Sequence, residues 1–242
     1  MAEQEKLGIL YGVGVGPGQP DLITLRAIRV LATVDVVLAA SSSRNDYSLA
    51  QRIAAEHIPA RTQLMRLEFP MTRQAAPLAE AWERNLERTA ALLRAGKNAA
   101  FITLGDPLIY STFGYLLAGI RKRYPRIRVT VVPGITSYQA AAAETGTVLC
   151  EDDQNLLLLS GVAGEAELRA SLQSADNAVI LKTYRNFAEI RACLERADLD
   201  KIFVSRLGLE GEIICRNLAD APDAPNYLSL ILATKKRGRR TS

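Results

Sequence analysis

Apolar residues along the chain fall into two alternating patterns, short unbroken runs and longer stretches spaced as one face of a helix. Unbroken runs rich in Val, Ile and Leu are typical of strands that are buried on both faces. In the first half they predict strands over residues 7–15, 34–40, 99–105 and 128–134. The helical spacing between them predicts helices over residues 47–57, 78–94, 113–123 and 135–145. This alternation indicates a parallel-rich sheet with helices on both faces.

The stretch after the first strand also has helical spacing, with Leu22, Leu25, Ile28 and Leu31 on the predicted buried face. Asp21 directly precedes this face. Because a short side-chain acceptor at that position can bond the first free amides of a helix, Asp21 is the predicted N-cap.

The helix over residues 78–94 has an apolar residue at every fourth position of one stripe, namely Leu78, Trp82, Leu86 and Ala90. Such a stripe is more typical of a core-facing surface than of a cofactor site. Gly96 lies where a left-handed residue commonly ends a helix, so we expect the helix to stop there.

The second half repeats the alternation and then changes character. Strands are predicted over residues 155–161 and 177–183, with a polar helix between them and a helix over residues 186–196 after them. The segment KIFVSRLGLEGEIICRN predicts two strands around a glycine-containing turn, and YLSLILATK predicts a last strand. This ending indicates a mixed, partly antiparallel sheet.

The change of pattern places a domain boundary near Pro133, with no Ser- or Gly-rich linker. With 242 residues, 48% hydrophobic and 23% charged, the chain can bury a sizeable core. The predicted fold class is therefore α/β, with two domains. They span residues 1–133, with the parallel-rich sheet, and residues 134–234, with the mixed sheet, followed by a basic tail over residues 235–242.

Several function classes are disfavoured by composition. No apolar run approaches the roughly 20 residues that cross a bilayer, and the first residues lack the pattern of a secretion signal, so we expect a soluble, cytoplasmic protein without a membrane partner. Cys150, Cys193 and Cys215 are odd in number and far apart, which favours buried thiols over a disulfide framework or a metal site.

The net charge comes from the tail. The chain carries a formal charge of +4, and because five positive charges lie within residues 235–242, the rest of the chain carries −1. A nearly neutral body is not typical of a nucleic-acid binder, so no nucleic-acid partner is expected. The tail alone keeps one alternative open, an RNA-binding module that uses it.

The stretch YGVGVGPGQPDLITLRA follows the first strand and holds four glycines and two prolines. A dinucleotide fingerprint that starts at Gly12 and Gly14 needs glycine where Pro17 stands, and one that starts at Gly14 and Gly16 reaches Gln19. A P-loop needs a Gly-Lys-Ser/Thr triplet, which is absent from this stretch. The loop therefore suits close approach by a flat or bulky molecule better than a pyrophosphate. A purely structural turn remains the alternative.

Two further turns follow predicted strands. In LGDPLIYSTFGY, Gly105 lets the chain bend and Asp106 offers a carboxylate for an ammonium or a ribose hydroxyl. In VVPGITSYQAAA, Thr136 and Ser137 offer hydroxyls and free amides at a helix start. Since the carboxyl ends of parallel strands meet at one edge of a sheet, the three turns predict one pocket there.

These segments resemble a known family. GVGVGPGQPDLITLRAIRVLATVDVVL, GDPLIYSTFGYLL and VVPGITSYQAAA resemble the tetrapyrrole methylases, which use S-adenosylmethionine to methylate corrin precursors. The pattern YGVGVGPG with GDPLIYSTF is most similar to the branch that methylates C-20 of precorrin-2 or cobalt-factor II in cobalamin biosynthesis. One departure is the segment after GPG, where an acid usually follows and this chain has Gln19.

The resemblance implies an S-adenosylmethionine-dependent C-methyltransferase, a homodimer in which each chain has a ligand cleft between two α/β domains. It further implies a small-molecule tetrapyrrole as substrate and S-adenosylhomocysteine as product. The residues that it matches to donor binding are Pro17, Leu104, Gly105, Asp106, Ile109, Thr136, Ser137, Lys182, Leu207 and Gly208.

Methyl transfer from a sulfonium is an in-line displacement that needs neither a metal nor a protein nucleophile, so no metal site is predicted. Tyr110 is the candidate for catalysis, and Pro17, Tyr110 and Arg44 are the candidates for substrate contact. Because precorrin-2 carries eight carboxylates, Arg66 and Arg73 are further candidates. The alternative enzymes are other members of the superfamily, of the rRNA ribose methyltransferase or diphthine synthase type.

Overall fold

The computed structural model describes residues 6–41, 49–70 and 74–236. The chain divides into two units, of which unit 1 extends to Thr136 and unit 2 begins at Ser137. This division lies close to the boundary predicted near Pro133. Each unit contains one five-stranded sheet.

Unit 1 is built on a fully parallel sheet. Its strands are β1 (Leu10–Gly14), β2 (Val36–Ser41), β3 (Gln63–Glu68), β4 (Ala99–Thr103) and β5 (Val129–Val132). They lie in the order β3-β2-β4-β1-β5, so β1 is flanked by β4 and β5. Four of the strands were predicted. β3 was not, because this edge strand exposes most of its side chains and Leu67 is its buried residue.

Among the described residues of unit 1, four α-helices cover the sheet. They are α1 (Leu25–Leu31), α2 (Leu49–Ala54), α3 (Ala75–Arg94) and α4 (Phe113–Arg123). α3 and α4 pack on one face of the sheet, where Leu86 and Phe113 meet Leu10 of β1. α1 and α2 pack on the other face, where Leu31 and Ile53 meet Val13 of β1. Both faces of the sheet are therefore buried, as its unbroken apolar strands predicted.

The predicted start of α1 is wrong. Asp21 lies in a separate 3-10 turn, and Thr24 is the N-cap, since its hydroxyl accepts a hydrogen bond from the amide of Ala27 at 3.2 Å. Leu25 was predicted to be buried but is 72% exposed, whereas Ala27 and Leu31 form the buried face. The proline at position 20 and the turn after it delay the helix, which shifts its buried face.

We therefore expect Thr24→Ala to lower the free energy of unfolding by about 1 kcal/mol, because the amide of Ala27 loses its acceptor. Chemical denaturation measures this change. Asp21→Ala is the matched control and should leave stability within about 0.5 kcal/mol of the wild type, as is usual for surface positions. A larger loss of stability in Asp21→Ala than in Thr24→Ala would show that Asp21 is the cap.

The predicted end of α3 is confirmed. Gly96 has a left-handed φ of 78° and its amide donates to the carbonyl oxygen of Leu93 at 3.1 Å, which closes the last turn. In the predicted stripe, Leu86 and Ala90 are buried and Trp82 is half-buried. The Trp82 ring stacks on Tyr115 of α4 with 4.2 Å between ring centroids. The stripe is therefore a packing surface between α3 and α4.

Unit 2 has the predicted mixed sheet. Its strands are β6 (Leu156–Ser160), β7 (Asn177–Leu181), β8 (Leu199–Ser205), β9 (Ile213–Cys215) and β10 (Ser229–Lys235), in the order β6-β7-β10-β8-β9. The β6–β7 pair is parallel and the other pairs are antiparallel. The helices are α5 (Ser137–Thr145), α6 (Glu165–Leu172) and α7 (Phe187–Glu195). α6 and α7 pack on one face, and Ala141 of α5 packs on the other.

The start of the predicted tail is bound to unit 2. Lys235 is the last residue of β10 and forms an ion pair with Asp176, while Lys236 pairs with Asp198. These partners hold the pKa of each carboxyl group below its ordinary value, chiefly through the side-chain hydrogen bond from the lysine. The other tail cations lie outside the described residues. Two of the five positive charges are thus paired with acids.

Of the three free cysteines, Cys193 is buried as predicted, while Cys150 and Cys215 are partly exposed. Within residues 6–41, 49–70 and 74–236, none of the helices combines the length and the apolar character that crossing a bilayer requires.

Candidate functional site

The three glycine- and proline-containing turns of unit 1 follow neighbouring strands. We call residues 15–19, after β1, the first loop; residues 104–112, after β4, the second loop; and residues 133–136, after β5, the third loop. Because β4, β1 and β5 are adjacent and parallel, all three loops leave the same edge of the sheet. This is the position at which open parallel sheets bind their ligands.

Main-chain hydrogen bonds join the first and second loops. The amide of Val15 donates to the carbonyl oxygen of Thr103 at 3.0 Å, and the amide of Gly105 donates to the carbonyl oxygen of Gly16 at 2.8 Å. Gly16 and Gly105 both have left-handed backbone angles, with φ of 82° and 62°. Residues with a Cβ atom rarely adopt such angles, which explains glycine at both positions.

The third loop also packs backbone against backbone on the second loop and on Gly14, the last residue of β1. A Cβ atom built on Gly134 would lie 2.1 Å from the carbonyl oxygen of Gly105 and 2.8 Å from the Cα atom of Gly14. A Cβ atom built on Gly14 would lie 2.4 Å from the same oxygen and 2.7 Å from the Cα atom of Gly134. No side chain can occupy this contact unless the backbone moves. The three loops therefore form one closely packed group.

Asp106 ties the second loop to the third. Its Oδ1 atom accepts a hydrogen bond from the amide of Leu108 at 2.8 Å, and its Oδ2 atom accepts one from the amide of Gly134 at 3.0 Å. The sequence predicted this carboxylate as a ligand for an ammonium or a ribose hydroxyl. In the structure both oxygens already bond to main-chain amides, although each oxygen has a second lone pair. Asp106 therefore orders the loops, whatever else it binds.

The middle of the second loop exposes an apolar surface. Leu108, Ile109 and Tyr110 are 57%, 37% and 53% exposed, and Tyr110 has a left-handed φ of 48°. Such strain in a residue other than glycine persists where the surroundings impose it, often at binding sites. Ser111 anchors the far end, because its hydroxyl lies 3.0 Å from that of Thr103 and accepts a hydrogen bond from the Phe113 amide. The apolar segment is thus held between two polar anchors.

In unit 2, the residues that were matched to donor binding lie at one edge of the sheet. Lys182 follows β7, and Leu207 and Gly208 follow β8. β7 and β8 are each antiparallel to β10, so they end at the same edge. Lys182 has a φ of 56°, and its partial burial, together with the nearby Arg185 cation, lowers the pKa of its ammonium group.

Comparison with known proteins identifies the family. The family model for tetrapyrrole (corrin/porphyrin) methylases matches residues 9–222, which is most of the chain. The chain belongs to the tetrapyrrole (corrin/porphyrin) methylases. The resemblance inferred from the three loop motifs is thereby confirmed.

This tetrapyrrole methylase has close full-length relatives. It is 36% identical to the cobalt-precorrin-2 C(20)-methyltransferase of Salmonella typhimurium, across 95% of the chain and 97% of the relative. It is 30% identical to the precorrin-2 C(20)-methyltransferase of Sinorhizobium, across 93% of the chain and 95% of the relative. Uroporphyrin-III C-methyl transferase from Thermus thermophilus, solved with S-adenosyl homocysteine, is similar in fold, with a TM-score of 0.65, 23% identity and coverage of 94% and 97% of the two chains.

In this methylase, the predicted site residues of unit 1 other than the arginines all lie in the three adjacent loops. Pro17 is half-buried in the first loop, Leu104, Gly105, Asp106, Ile109 and Tyr110 lie in the second, and Thr136 is buried at the end of the third, directly before Ser137 opens α5. The hydroxyl pair of Thr103 and Ser111 was missed. The sequence does not show which other residue the hydroxyl of a single Ser or Thr will contact.

The arginines suggested for substrate contact are not found among the described residues of the three loops. Arg44 and Arg73 lie outside the described residues. Arg66 is exposed on the edge strand β3, which β2 separates from β4, so it does not lie among the three loops. Within the described part of the methylase, no group of three or more His, Cys, Asp or Glu side chains is placed to hold a metal ion.

Proposed function

We propose that this tetrapyrrole methylase transfers a methyl group from S-adenosylmethionine to C-20 of precorrin-2, or of its cobalt complex, in cobalamin biosynthesis. The observation that carries the proposal is the similarity, over more than nine-tenths of the chain, to two C(20)-methyltransferases. For the metallated substrate, the name of the Salmonella relative favours cobalt-precorrin-2 over the cobalt-factor II that the sequence suggested.

The loops of unit 1 suit a methyl donor. S-adenosylmethionine supplies an activated methyl group whose transfer leaves a neutral thioether. Glycine at positions 105 and 134 lets the second and third loops pack together, so the backbone of Gly105 lies beside that of Thr136. The main-chain groups of Leu104, Gly105 and Asp106 follow β4 at the carboxyl edge of the sheet. We propose that these residues, with Pro17, Ile109, Thr136 and Ser137, bind the donor, and that Lys182, Leu207 and Gly208 of unit 2 also contribute.

Catalysis in this proposal is mainly alignment. A carbon between two pyrrole rings is already electron-rich, so the protein has to hold it in line with the methyl group and exclude water. Good alignment alone can supply on the order of 7 to 11 kcal/mol. The exposed segment Leu108–Ile109–Tyr110 offers an apolar surface for the ring, and we propose that Tyr110 contacts the acceptor. Arg44 stays a proposed substrate contact.

The homodimer implied by the resemblance and the cytoplasmic location expected from the composition belong to the same proposal. Sedimentation equilibrium of the full chain tests the first, with a mass of two chains as the expected result. Fractionation of the source cells tests the second, with the protein expected in the soluble cytoplasmic fraction.

The function itself is tested by offering the purified enzyme precorrin-2 and cobalt-precorrin-2, each carrying deuterium at C-20. With S-adenosylmethionine present, we expect one of the two substrates to gain a single methyl group and to lose its deuterium, as measured by mass spectrometry. Uroporphyrin III serves as the comparison substrate and should stay unmethylated. Methyl gain with retention of the deuterium would move the reaction to another carbon, and no gain with either substrate would refute the proposal.

A further inference from the structure

The edge of unit 2 at which β7 and β8 end presents cations on strained backbone. Lys182 and Arg206 are the first residues after these two strands, and both have left-handed backbone angles, with φ of 56° and 54°. Long side chains adopt this conformation rarely, and residues that do so are concentrated at binding sites. Two such residues at one sheet edge indicate that the edge has a role beyond packing.

Ser229, the first residue of β10, and Leu228 before it hold both turns in place. The amide of Lys182 donates to the carbonyl oxygen of Ser229 at 2.9 Å, and the amide of Arg206 donates to that of Leu228 at 2.8 Å. The buried hydroxyl of Thr183 donates to the hydroxyl of Ser229 at 2.8 Å beneath them. Because neighbouring strands lie roughly 4.8 Å apart and β10 separates β7 from β8, the two turns are roughly 10 Å apart.

Two arginines at this edge have no carboxylate partner among the described residues, and Arg216, which donates to the carbonyl oxygen of Thr145, shares this property. In the described part of unit 2, the arginines that pair with carboxylates are Arg169, Arg191 and Arg196. Arg185 instead donates from Nε to the phenol oxygen of Tyr184 at 2.8 Å, and Arg206 donates from Nε to the carbonyl oxygen of Glu210 at 2.6 Å. These bonds orient both guanidinium groups and leave their Nη donors without a carboxylate among the described residues.

Aromatic rings accompany the cations. The rings of Tyr184 and Tyr227 lie 5.3 Å apart between centroids, and the Arg185 guanidinium lies 5.4 Å from the centroid of the Tyr184 ring. Tyr227 is about half exposed. Burial of its phenol raises the pKa of Tyr227 above its ordinary value. Flat apolar faces next to oriented guanidinium groups match a flat ligand with carboxylates on its rim.

We propose that this edge of unit 2 is a carboxylate-recognition site for the tetrapyrrole, in which Arg185 and Arg206 bind carboxylates of its rim and Tyr184 and Tyr227 pack against its ring. The identity of the ligand rests on the proposed function, in which the methyl acceptor is a macrocycle with eight carboxylates. Arginine suits this task since its planar fork binds a carboxylate through two parallel hydrogen bonds.

The test measures binding without turnover. Uroporphyrin III, a tetrapyrrole with eight carboxylates, is titrated into the full-length protein, and its fluorescence gives the dissociation constant. We expect Arg185→Gln and Arg206→Gln each to weaken binding by about tenfold, the loss of one charge-assisted contact. Arg169→Gln is the matched control, because that arginine already pairs with Glu165, and it should bind as the wild type does. The octamethyl ester of the probe should bind weakly to all four proteins.

A second readout separates recognition from folding. The affinity for S-adenosylhomocysteine and the melting temperature should stay at wild-type values in both variants, and the KM for the tetrapyrrole should rise while kcat is kept. Wild-type protein that does not bind the probe, or variants that bind it equally well, would overturn the inference. If the two arginine variants lose probe binding but the wild type does not methylate C-20, the site is supported and the proposed reaction is rejected. The failure of the inference and the failure of the proposed function are therefore distinguishable.

Discussion

Gly134→Ala is expected to lower the free energy of unfolding by about 3 kcal/mol or more and to abolish binding of S-adenosylhomocysteine. The new methyl carbon would lie 2.1 Å from the carbonyl oxygen of Gly105 and 2.8 Å from the Cα atom of Gly14. Both neighbours are main-chain atoms, one in the second loop and one at the end of β1, so neither can turn aside as a flexible side chain would. The third loop has to move away from the first two.

Gly114→Ala is the matched control for this change. Gly114 lies in the first turn of α4, and a Cβ atom built there meets nothing within 4 Å. Alanine is the better helix former, so this variant should be as stable as the wild type or more stable by up to about 1 kcal/mol. Chemical denaturation and calorimetric titration with S-adenosylhomocysteine measure both variants. Equal stability of the two would mean that the three loops do not pack as closely as the structure has them.

Asp106→Ala is expected to remove the stabilisation that S-adenosylhomocysteine gives the wild type. A ligand at about 100 times its dissociation constant stabilises the folded protein by about 2.7 kcal/mol through mass action. In the variant the amides of Leu108 and Gly134 lose their acceptor, and the second loop is no longer tied to the third. Without ligand, the free energy of unfolding should fall by roughly 1 to 3 kcal/mol.

Hydrogen exchange distinguishes the two roles of Asp106. If it orders the loops, the Gly134 amide should exchange faster in Asp106→Ala than in the wild type when no ligand is present. Asp106→Asn keeps one acceptor oxygen and should show an intermediate exchange rate and an intermediate ligand-induced rise in melting temperature. Asp153→Ala, at an exposed position in unit 2, is the control and should resemble the wild type. Unchanged exchange at Gly134 with lost ligand binding would make Asp106 a direct ligand only.

Local patterns predicted most of the elements because each reports the burial of a short segment. The unbroken apolar runs of β1, β4 and β5 and the 20-residue amphipathic α3 stand out in the sequence. β3 does not, because an edge strand buries little of its surface, and its sequence QLMRLE neither alternates strictly nor forms an unbroken apolar run. The start of α1 was misplaced because Asp21 and Thr24 are both residue types that cap helices, and the 3-10 turn at Pro20 separates Asp21 from the helix.

The site was predicted in its parts but not in its connections. Glycine- and proline-containing turns after three strands marked the loops, and the motifs identified the family, because chain bends and close approach require particular residue types at particular positions. The sequence by itself thus determined most of the strands, the bends and the family of this tetrapyrrole methylase. Only the tertiary structure decided that β1 lies between β4 and β5, that Asp106 bonds Gly134 some 28 positions away, and that Lys182 and Arg206 flank β10. Contacts between distant segments depend on sheet order, which no local periodicity encodes.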